Sequence, residues 1–289
     1  MSNFLHSGAF GALDKEFSSY DDAAIVILPI PYDDTSSWQM GSDRGPLAVL
    51  EASGYMELYD IETQSEVFRK GIATLAPIEC SSTAPEVLLE LVYQRSKQVL
   101  TDRKFLVGIG GEHSISTGIV KAMSEIYPNL SVLQFDAHSD LRNSYEGSAF
   151  NHACVMARVR EYCPIVQVGI RSMDSSELAI MERDRVFFAH ELDRIENLTE
   201  RISALLTENV YITFDLDVFD PSIMPSTGTP EPGGMGWYQL LSIVESIVAG
   251  HRIVGFDVNE LMPNPADKGP DFLAAKLIYR TLSMIFKEK

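Results

Sequence analysis

The sequence lacks the features that mark membrane and secreted proteins. Its longest apolar run, residues 23–30, contains a proline and falls far short of the ~18 residues that a membrane helix needs. The N-terminus has no basic segment followed by a long apolar run, so we expect no secretory signal. The three cysteines, Cys80, Cys154 and Cys163, are odd in number and lack metal-ligand spacing. We therefore expect a cytoplasmic protein without membrane contact, in which Cys154 is a small core residue.

Basic residues are also scarce. Lys and Arg number 23 against 41 Asp and Glu, so the formal net charge is −18. Such a chain repels phosphate backbones, which argues against nucleic-acid binding. The excess of carboxylates suits metal ions or cationic small molecules, although solubility alone would also explain it. The hydrophobic fraction, 45% of 289 residues, excludes wholesale disorder.

Apolar, β-branched segments alternate along the chain with segments of helical periodicity. The predicted strands are residues 23–30, 104–111, 131–138, 164–171, 209–217 and 252–258, and the clearest predicted helices are 85–100, 114–126, 237–249 and 271–286. This alternation predicts an α/β fold with a parallel sheet covered on both faces. No linker, repeat or low-complexity tract divides the sequence, so we predict a single domain over residues 1–289, with residues 1–22 as an N-terminal extension.

Polar residues follow four of the predicted strands, and ligand sites in parallel sheets lie beyond the carboxyl ends of the strands. In extended backbone, the side chains of Asp136, His138 and Asp140 would point to one side. Asp215 and Asp217 repeat that spacing on another strand. Carboxylates this close repel one another unless a cation neutralises them. One such pair alone often only stabilises a turn, but the clusters taken together favour metal binding.

The clusters hold too many ligands for one tetrahedral zinc site, so they predict two divalent metals. Oxygen-rich ligand sets with some imidazole favour Mn²⁺ over Zn²⁺. The predicted metal ligands are His113, Asp136, His138, Asp140, Asp215 and Asp217.

The polar clusters belong to longer segments that resemble the four signature segments of the ureohydrolases, the family of arginases and agmatinases. The segments are GGEHS, FDAHSDLR, TFDLDVFDPSIMPSTGTPEPGG and GFDVNEL, and the resemblance begins as early as PYDDTSSWQMGSDRGP. It implies a three-layer α/β/α domain with a mostly parallel sheet of about eight strands. It also implies two Mn²⁺ per chain, a homotrimer or homohexamer, and hydrolysis of a guanidino or amidino carbon by a hydroxide shared between the metals.

The resemblance also assigns roles by position. Asp140 and Asp215 would face both metals, while His113 would bind one metal and His138 the other. Asp140 would thereby take part in catalysis as well as in metal binding.

Two further catalytic residues are implied by the resemblance. Glu260 would hold the substrate guanidinium, a planar cation that matches a carboxylate through paired hydrogen bonds. His152, in the segment FNHA, would shuttle protons. Thr229 would line the guanidinium pocket, although turn geometry in a Gly/Pro-rich loop would also explain it. Asp220 suits either a carboxylate behind the metal ligands or a plain turn.

The segments DLRNSYEGSAFNHACVM and TPEPGG are similar to the agmatinase versions of these motifs. We therefore expect a small cationic guanidino substrate, agmatine, which would be hydrolysed to putrescine and urea. Asp174 and Glu177 are candidates to contact the substrate tail, although helix capping explains Asp174 about as well. Asp33 and Asp34 could also contact substrate, but a solvated turn is the simpler interpretation.

Other interpretations of the motifs stay open. A guanidino acid such as 4-guanidinobutyrate would need a cation in the pocket, and Arg142 is the candidate. Arginase and formiminoglutamase activities fit the motifs less well. A catalytically silent member could act as a binding subunit, but it would be expected to have lost ligands. An amide hydrolase of deacetylase type would need only one metal.

Overall fold

The computed structural model of the chain describes residues 8–80 and 83–287, which form one parallel sheet with helices packed against it. The strands are β1 (Ile25–Ile30), β2 (Ile72–Thr74), β3 (Phe105–Gly110), β4 (Leu130–Phe135), β5 (Ile165–Ile170), β6 (Val186–Phe188), β7 (Asn209–Asp215) and β8 (Arg252–Asn259). The helices are α1 (Lys15–Ser18), α2 (Gly45–Ser53), α3 (Pro85–Thr101), α4 (Ser116–Ile126), α5 (Val155–Val159), α6 (Leu198–Leu205), α7 (Trp237–Gly250) and α8 (Gly269–Ile285).

The sheet has eight strands over the described residues, in the order β2-β1-β3-β8-β7-β4-β5-β6, and all neighbours are parallel. The predicted α/β fold with a parallel sheet of about eight strands is therefore confirmed. All six strands predicted from apolar runs are present. The two that were not predicted, β2 and β6, have three residues each, which is too short for a recognisable pattern.

Both faces of the sheet are buried because each strand is apolar on both sides. In β1, Ile25 and Ile27 belong to one hydrophobic cluster, whereas Val26 and Leu28 belong to another. Side chains of a strand alternate between faces, so the two clusters lie on opposite sides of the sheet. Helices α2, α7 and α8 contribute to the first cluster and α3, α4 and α5 to the second. Because both faces of the sheet are apolar, polar functional residues are expected beyond the ends of the strands.

The register of the central strands brings polar residues that are distant in sequence together at the carboxyl end of the sheet. Phe135 pairs with Phe214 across β4 and β7, and their rings stack at 5.3 Å between centroids. The next residues along these strands, Asp136 and Asp215, therefore lie side by side. Across β7 and β8, Asp215 pairs with Asn259, which precedes Glu260.

The backbone around the predicted ligands differs from the expected extension of the strands. Strand β4 ends at Phe135, and Asp140 has a left-handed backbone with φ 51°. Strand β7 ends at Asp215, and Asp217 lies in a short 3₁₀ helix, Leu216–Val218. The reason is local: each first aspartate accepts a hydrogen bond from the backbone N–H two residues on, which bends the chain into a turn. Turns, not strand alternation, bring these carboxylates together.

The N-terminal residues that the structure describes pack against the rest of the chain. Phe10 and Leu13 are buried in the first hydrophobic cluster, and the Phe10 N–H donates to Thr74 Oγ1. Residues 1–7 of the predicted extension lie outside the described residues, and the division into one domain with an extension stays a prediction. Among residues 8–80 and 83–287, no helix is both long and apolar enough to cross a membrane.

The close approach of two strand ends depends on Gly111. A Cβ at this position would lie 2.1 Å from the carbonyl oxygen of Tyr32, whereas a Cβ at Gly250 would meet its nearest neighbour at 3.8 Å. We expect Gly111→Ala to lower the free energy of unfolding by about 1–3 kcal/mol, because backbone must move to relieve the overlap. Gly250→Ala, the control, should leave stability unchanged or slightly raised. Urea unfolding of both variants measures this, and equal midpoints would contradict the tight packing.

Candidate metal centre and active site

His113 lies at the centre of a buried group of acidic side chains. Its Nδ1 is 3.0 Å from Asp136 Oδ2, 3.3 Å from Asp140 Oδ2 and 3.4 Å from Asp215 Oδ2. No well-formed hydrogen bond within the described chain satisfies this nitrogen. The other ring nitrogen, Nε2, is 2.7 Å from Thr213 Oγ1 on β7. Thr213 therefore orients the ring so that Nδ1 faces three carboxylates, the position in which a histidine binds a metal.

His138 and Asp217 form a second group beside the first. His138 Nδ1 is 2.9 Å from Asp217 Oδ2 and 3.7 Å from Asp136 Oδ1. The other oxygen of Asp217 accepts a hydrogen bond of 3.0 Å from the Ala137 N–H, which fixes the carboxylate. The ligand atoms of His138, Asp217 and Asp136 lie close enough together to hold one metal ion.

Asp136 contributes to both groups, whereas Asp140 contributes only to the first. The resemblance predicts that Asp140 and Asp215 are the shared ligands, and this assignment stays a prediction. The place of Asp136 in both groups has a geometric reason. Asp136 lies between the two histidines, with one oxygen towards His113 and the other towards His138. Asp140, whose own backbone is left-handed, lies 3.3 Å from His113.

The donor set fits two divalent cations. Within the described chain, no Lys or Arg side chain forms an ion pair with any of the four aspartates. Burial, followed by the charge of Asp136, raises the pKa of Asp140 to about 7. Burial opposes the charged form of His113, yet the three carboxylates around it still raise its pKa well above the ordinary value. Both shifts show an excess of negative charge that bound cations would neutralise.

Two buried glutamines hold Asp136 from behind. Gln134 on β4 donates a hydrogen bond of 2.6 Å to Asp136 Oδ2. Gln167 on β5 donates one of 2.6 Å to Gln134 Oε1 and one of 2.7 Å to the Ser139 carbonyl. The motifs predict neither residue, although a glutamine inside an otherwise apolar strand needs a polar partner and so gives a signal.

Glu260 is anchored next to the first group. It follows β8 with a left-handed φ of 67°, and its Oε1 accepts a hydrogen bond of 2.7 Å from the His113 N–H. Loss of solvent, followed by the charge of Glu112, raises the pKa of Glu260 well above its usual value. No cationic side chain pairs with it among residues 8–80 and 83–287. A half-buried carboxylate with one anchored oxygen and no cationic partner is suited to bind a guanidinium.

His152 is held between two hydroxyl groups in a short 3₁₀ helix, His152–Cys154. Its Nδ1 is 3.2 Å from Thr35 Oγ1, and its Nε2 is 3.0 Å from Ser37 Oγ. The ring of Tyr145 packs against it edge-on, with 6.0 Å between ring centroids. Burial, followed by the charge of His138, lowers the pKa of His152 to about 4. The imidazole is therefore neutral near pH 7.

A cavity of about 340 Å³ joins these groups. Its wall includes the side chains of His113, His138, His152, Thr229 and Glu260. Asp136 lies behind the wall and is fully buried. Asp174 also lines the cavity, where it caps a 3₁₀ helix through Ser176 and lies 3.9 Å from the guanidinium of Arg142. The structure thus brings the predicted metal, catalytic and substrate-binding residues to one place.

Glu177 also lines the cavity, and its expected contact with the substrate tail stays a prediction. It is buried, and its two oxygens accept hydrogen bonds from the N–H groups of Leu141 and Asp174, at 2.7 and 2.6 Å. Both carboxylate oxygens are therefore used in holding backbone.

Three other acidic candidates have structural positions away from the metal groups. Asp33 is buried and accepts hydrogen bonds from the N–H groups of Gly41 and Ser42, which closes the loop 33–41. Asp34 is exposed and lines a different cavity. Asp220 accepts hydrogen bonds from the backbone of residues 222, 233 and 234, so it forms a turn rather than supporting a ligand.

The structure adds two acidic residues that the sequence analysis did not assign. Glu112, beside His113, is fully buried and accepts hydrogen bonds from Thr35 and Ser114. Glu231 lines the cavity, with Oε1 at 3.9 Å from His138 Nε2. Both lie inside the quoted segments GGEHS and TPEPGG, so their position in the motifs was the available signal.

The cysteines take no part in this site. Cys80, Cys154 and Cys163 are buried and unpaired, and burial raises the pKa of the Cys154 thiol to about 11. A thiol of this kind is a poor nucleophile, in line with the expectation that Cys154 is a core residue.

Comparisons with known proteins give a consistent family. The family model described as "Arginase family" matches residues 23–283. The N(1)-aminopropylagmatine ureohydrolase of Synechocystis sp. is 40% identical, over 97% of this chain and 95% of the relative. The agmatinase of Pyrococcus horikoshii is 30% identical, over 95% of this chain and 97% of the relative. The crystal structure of the agmatine ureohydrolase of Thermoplasma volcanium superposes with a TM-score of 0.87 at 30% identity, covering 98% of this chain and 96% of that one.

The shared position of Asp136 leads to a test of the metal groups. We expect Asp136→Asn to reduce the bound metal from about two ions per chain to almost none, because both groups lose a charged ligand. Asp217→Asn should reduce only the second group and leave about one ion. Asp34→Asn, in the other cavity, is the control. Metal content after dialysis, measured by mass spectrometry, checks this. If Asp136→Asn kept as much metal as Asp34→Asn, the shared role would be wrong.

Proposed function

The chain belongs to the arginase family, whose members are hydrolases of amidine C–N bonds, and we propose that it is a binuclear-manganese ureohydrolase acting on agmatine or an N-substituted agmatine. The observation that carries the proposal is the meeting, in one cavity, of two groups that could hold metal ions and the Glu260 carboxylate, which has no cationic partner among the described residues. The products would be urea and the amine: putrescine from agmatine.

The six ligands are the proposed binding site of two Mn²⁺, since oxygen-rich sets with imidazole suit this ion. When bound, the metals would supply Lewis-acid activation of water for attack on the guanidinium carbon. The remaining chemistry is that of the protein. In the overall reaction, water adds to the guanidinium carbon, and the bond between this carbon and the nitrogen that carries the alkyl chain breaks. That nitrogen leaves with a proton from the water.

Glu260 and His152 divide the other tasks between them. Glu260 has one oxygen on the His113 N–H, and both Glu260 and Gly228 line the cavity, where the other oxygen would be available to a guanidinium. Thr229, next in the chain, lines the same wall. His152, neutral near pH 7, can take up a proton and return it to the departing amine.

The substrate tail is proposed to be cationic. Asp174 and Glu231 line the cavity outside the metal groups and would attract an ammonium group. The guanidinium of Arg142 lies 4.5 Å over the Tyr145 ring and near Asp174, so its charge is partly balanced. N(1)-aminopropylagmatine, with an extra amine, is a second candidate because the Synechocystis relative carries that name.

Two broader proposals complete the assignment. Three buried, unpaired cysteines suit the reduced cytoplasm, which we propose as the location. A homotrimer or homohexamer is proposed from the family resemblance alone.

Urea release is the direct test of the function. The Mn²⁺-loaded protein should release urea from agmatine or N(1)-aminopropylagmatine, and about a hundredfold less efficiently from arginine and 4-guanidinobutyrate, whose carboxylates would meet Asp174 and Glu231. Steady-state kinetics with all four compounds measure kcat/KM. Release from 4-guanidinobutyrate alone would reverse the substrate assignment and point to Arg142. No urea from any compound at full metal occupancy would favour the binding-subunit interpretation.

Removing the charge of Glu260 tests its proposed role separately. Glu260→Gln can still accept the His113 N–H, but it loses the charge-assisted bond to the guanidinium, worth about 1.5–3 kcal/mol. We therefore expect kcat/KM to fall by about ten- to a hundredfold or more, with metal content unchanged. Asp34→Asn should keep full activity. A Glu260→Gln enzyme with unchanged kcat/KM would remove this residue from the substrate site.

A further inference from the structure

The loop 33–41 contacts both nitrogens of the His152 ring. Thr35 Oγ1 lies 3.2 Å from Nδ1, and Ser37 Oγ lies 3.0 Å from Nε2. The two sides are not equivalent, because Thr35 is half-buried and has further partners, whereas Ser37 is exposed at the cavity. The partners of Thr35 decide which ring nitrogen carries the proton.

The hydroxyl hydrogen of Thr35 points to Glu112. Thr35 Oγ1 is 2.7 Å from Glu112 Oε1, and the Thr35 N–H donates a hydrogen bond of 2.7 Å to Oε2. Oε1 also accepts a hydrogen bond of 2.5 Å from Ser114 Oγ. Glu112 has no exposed surface, and no Lys or Arg pairs with it in the part of the chain that the structure describes. Burial raises the pKa of Glu112 to about 7, while its hydrogen bonds from Ser114 and Thr35 favour the ionised form. In that form the carboxylate can only accept, so Thr35 is the donor in this pair.

A hydroxyl group has one hydrogen and two lone pairs, which settles the rest of the arrangement. The hydrogen of Thr35 is used by Glu112, so Oγ1 can only accept from its other neighbours. One of them is the backbone N–H of His152, at 3.2 Å. The other is Nδ1, which must therefore carry a hydrogen. In the neutral ring, Nε2 is then the basic nitrogen, and it accepts the hydroxyl hydrogen of Ser37.

We propose that Thr35, backed by Glu112, is a positioning residue that holds His152 in the tautomer with the proton on Nδ1 and directs the basic Nε2 to the cavity. The proposal rests on the proposed function for its catalytic meaning, because a proton shuttle needs one nitrogen aimed at the reaction. Without the Thr35 hydroxyl, Nδ1 loses its fixed acceptor, and the two tautomers become comparably populated. A fraction of the enzyme would then present a protonated Nε2 and could not accept a proton there.

The tautomer can be observed directly, without turnover. Full-length protein labelled with ¹⁵N-histidine and loaded with Mg²⁺, a diamagnetic substitute for Mn²⁺, gives a spectrum in which long-range ¹H–¹⁵N couplings distinguish the two tautomers. The His152 signal is identified by its loss in His152→Asn. We expect a protonated Nδ1 and an unprotonated Nε2 in the wild type and in Thr35→Ser, and a mixture of tautomers in Thr35→Val.

Kinetics with Mn²⁺-loaded protein and agmatine or N(1)-aminopropylagmatine give the second readout. Thr35→Val should lower kcat by about ten- to a hundredfold, a part of the usual contribution of general acid–base catalysis, with KM and metal content unchanged. Thr35→Ser should restore kcat. Thr101→Val, which removes a hydroxyl that donates to the Lys97 carbonyl within α3, is the matched control and should have no effect.

The outcomes separate this proposal from the proposed function. A wild-type spectrum with the proton on Nε2, or a Thr35→Val variant with unchanged tautomer and unchanged kcat, would overturn the role of Thr35. Absence of urea release from every guanidino compound by the wild type would overturn the proposed function, while the spectrum would still report whether Thr35 sets the tautomer. A rise in KM with unchanged kcat in Thr35→Val would assign the loop to substrate binding instead.

Discussion

Four carboxylates and two imidazoles converge at the carboxyl end of the sheet, and the repulsion among these carboxylates is the constraint on which the site depends. Three of the aspartates approach the same nitrogen of His113 to within 3.4 Å. Buried charge at this density is unfavourable unless cations or protons compensate it. The raised pKa of Asp140 shows the imbalance, and divalent metals are the compensation that the donor set fits.

The sheet is built to hold this charge in place. Its strands are apolar along most of their length, but three of them carry a polar side chain that supports a ligand: Gln134, Gln167 and Thr213. Each of these polar groups is satisfied by a ligand or by a residue that supports one, so its burial does not leave an unmet hydrogen bond. The stacked Phe135 and Phe214 close the core directly beneath Asp136 and Asp215. In both strands the charged aspartate therefore follows directly after a residue of the apolar core.

On the cavity side, rigid backbone contacts take the place of ion pairs. Glu260 is anchored by the His113 N–H, and Asp33 ties the ends of the loop that contacts His152. The outer carboxylates, Asp174 and Glu231, line the same cavity, where Asp174 also lies 3.9 Å from the guanidinium of Arg142. Most of the net charge of −18 lies elsewhere on the chain. Only the carboxylates at the cavity therefore bear on the choice of substrate. A cationic polyamine would be drawn to the cavity by the same field.

The sequence by itself determined the α/β class, the six longer strands and the types of polar residue at the strand ends. Apolar runs and the polar residues that follow them are local patterns. It also supplied the candidate ligands, since they occur within short segments. Tertiary structure decided how they combine. Asp136 lies in both candidate metal groups and Asp140 in only one of them, because local turns, closed by side-chain hydrogen bonds, replace the expected strand geometry. Contacts such as Thr35 with Glu112 and with His152 join residues 77 and 117 positions apart. Such contacts depend on strand order and register, which are set by packing across the whole sheet and leave no periodic trace in the chain.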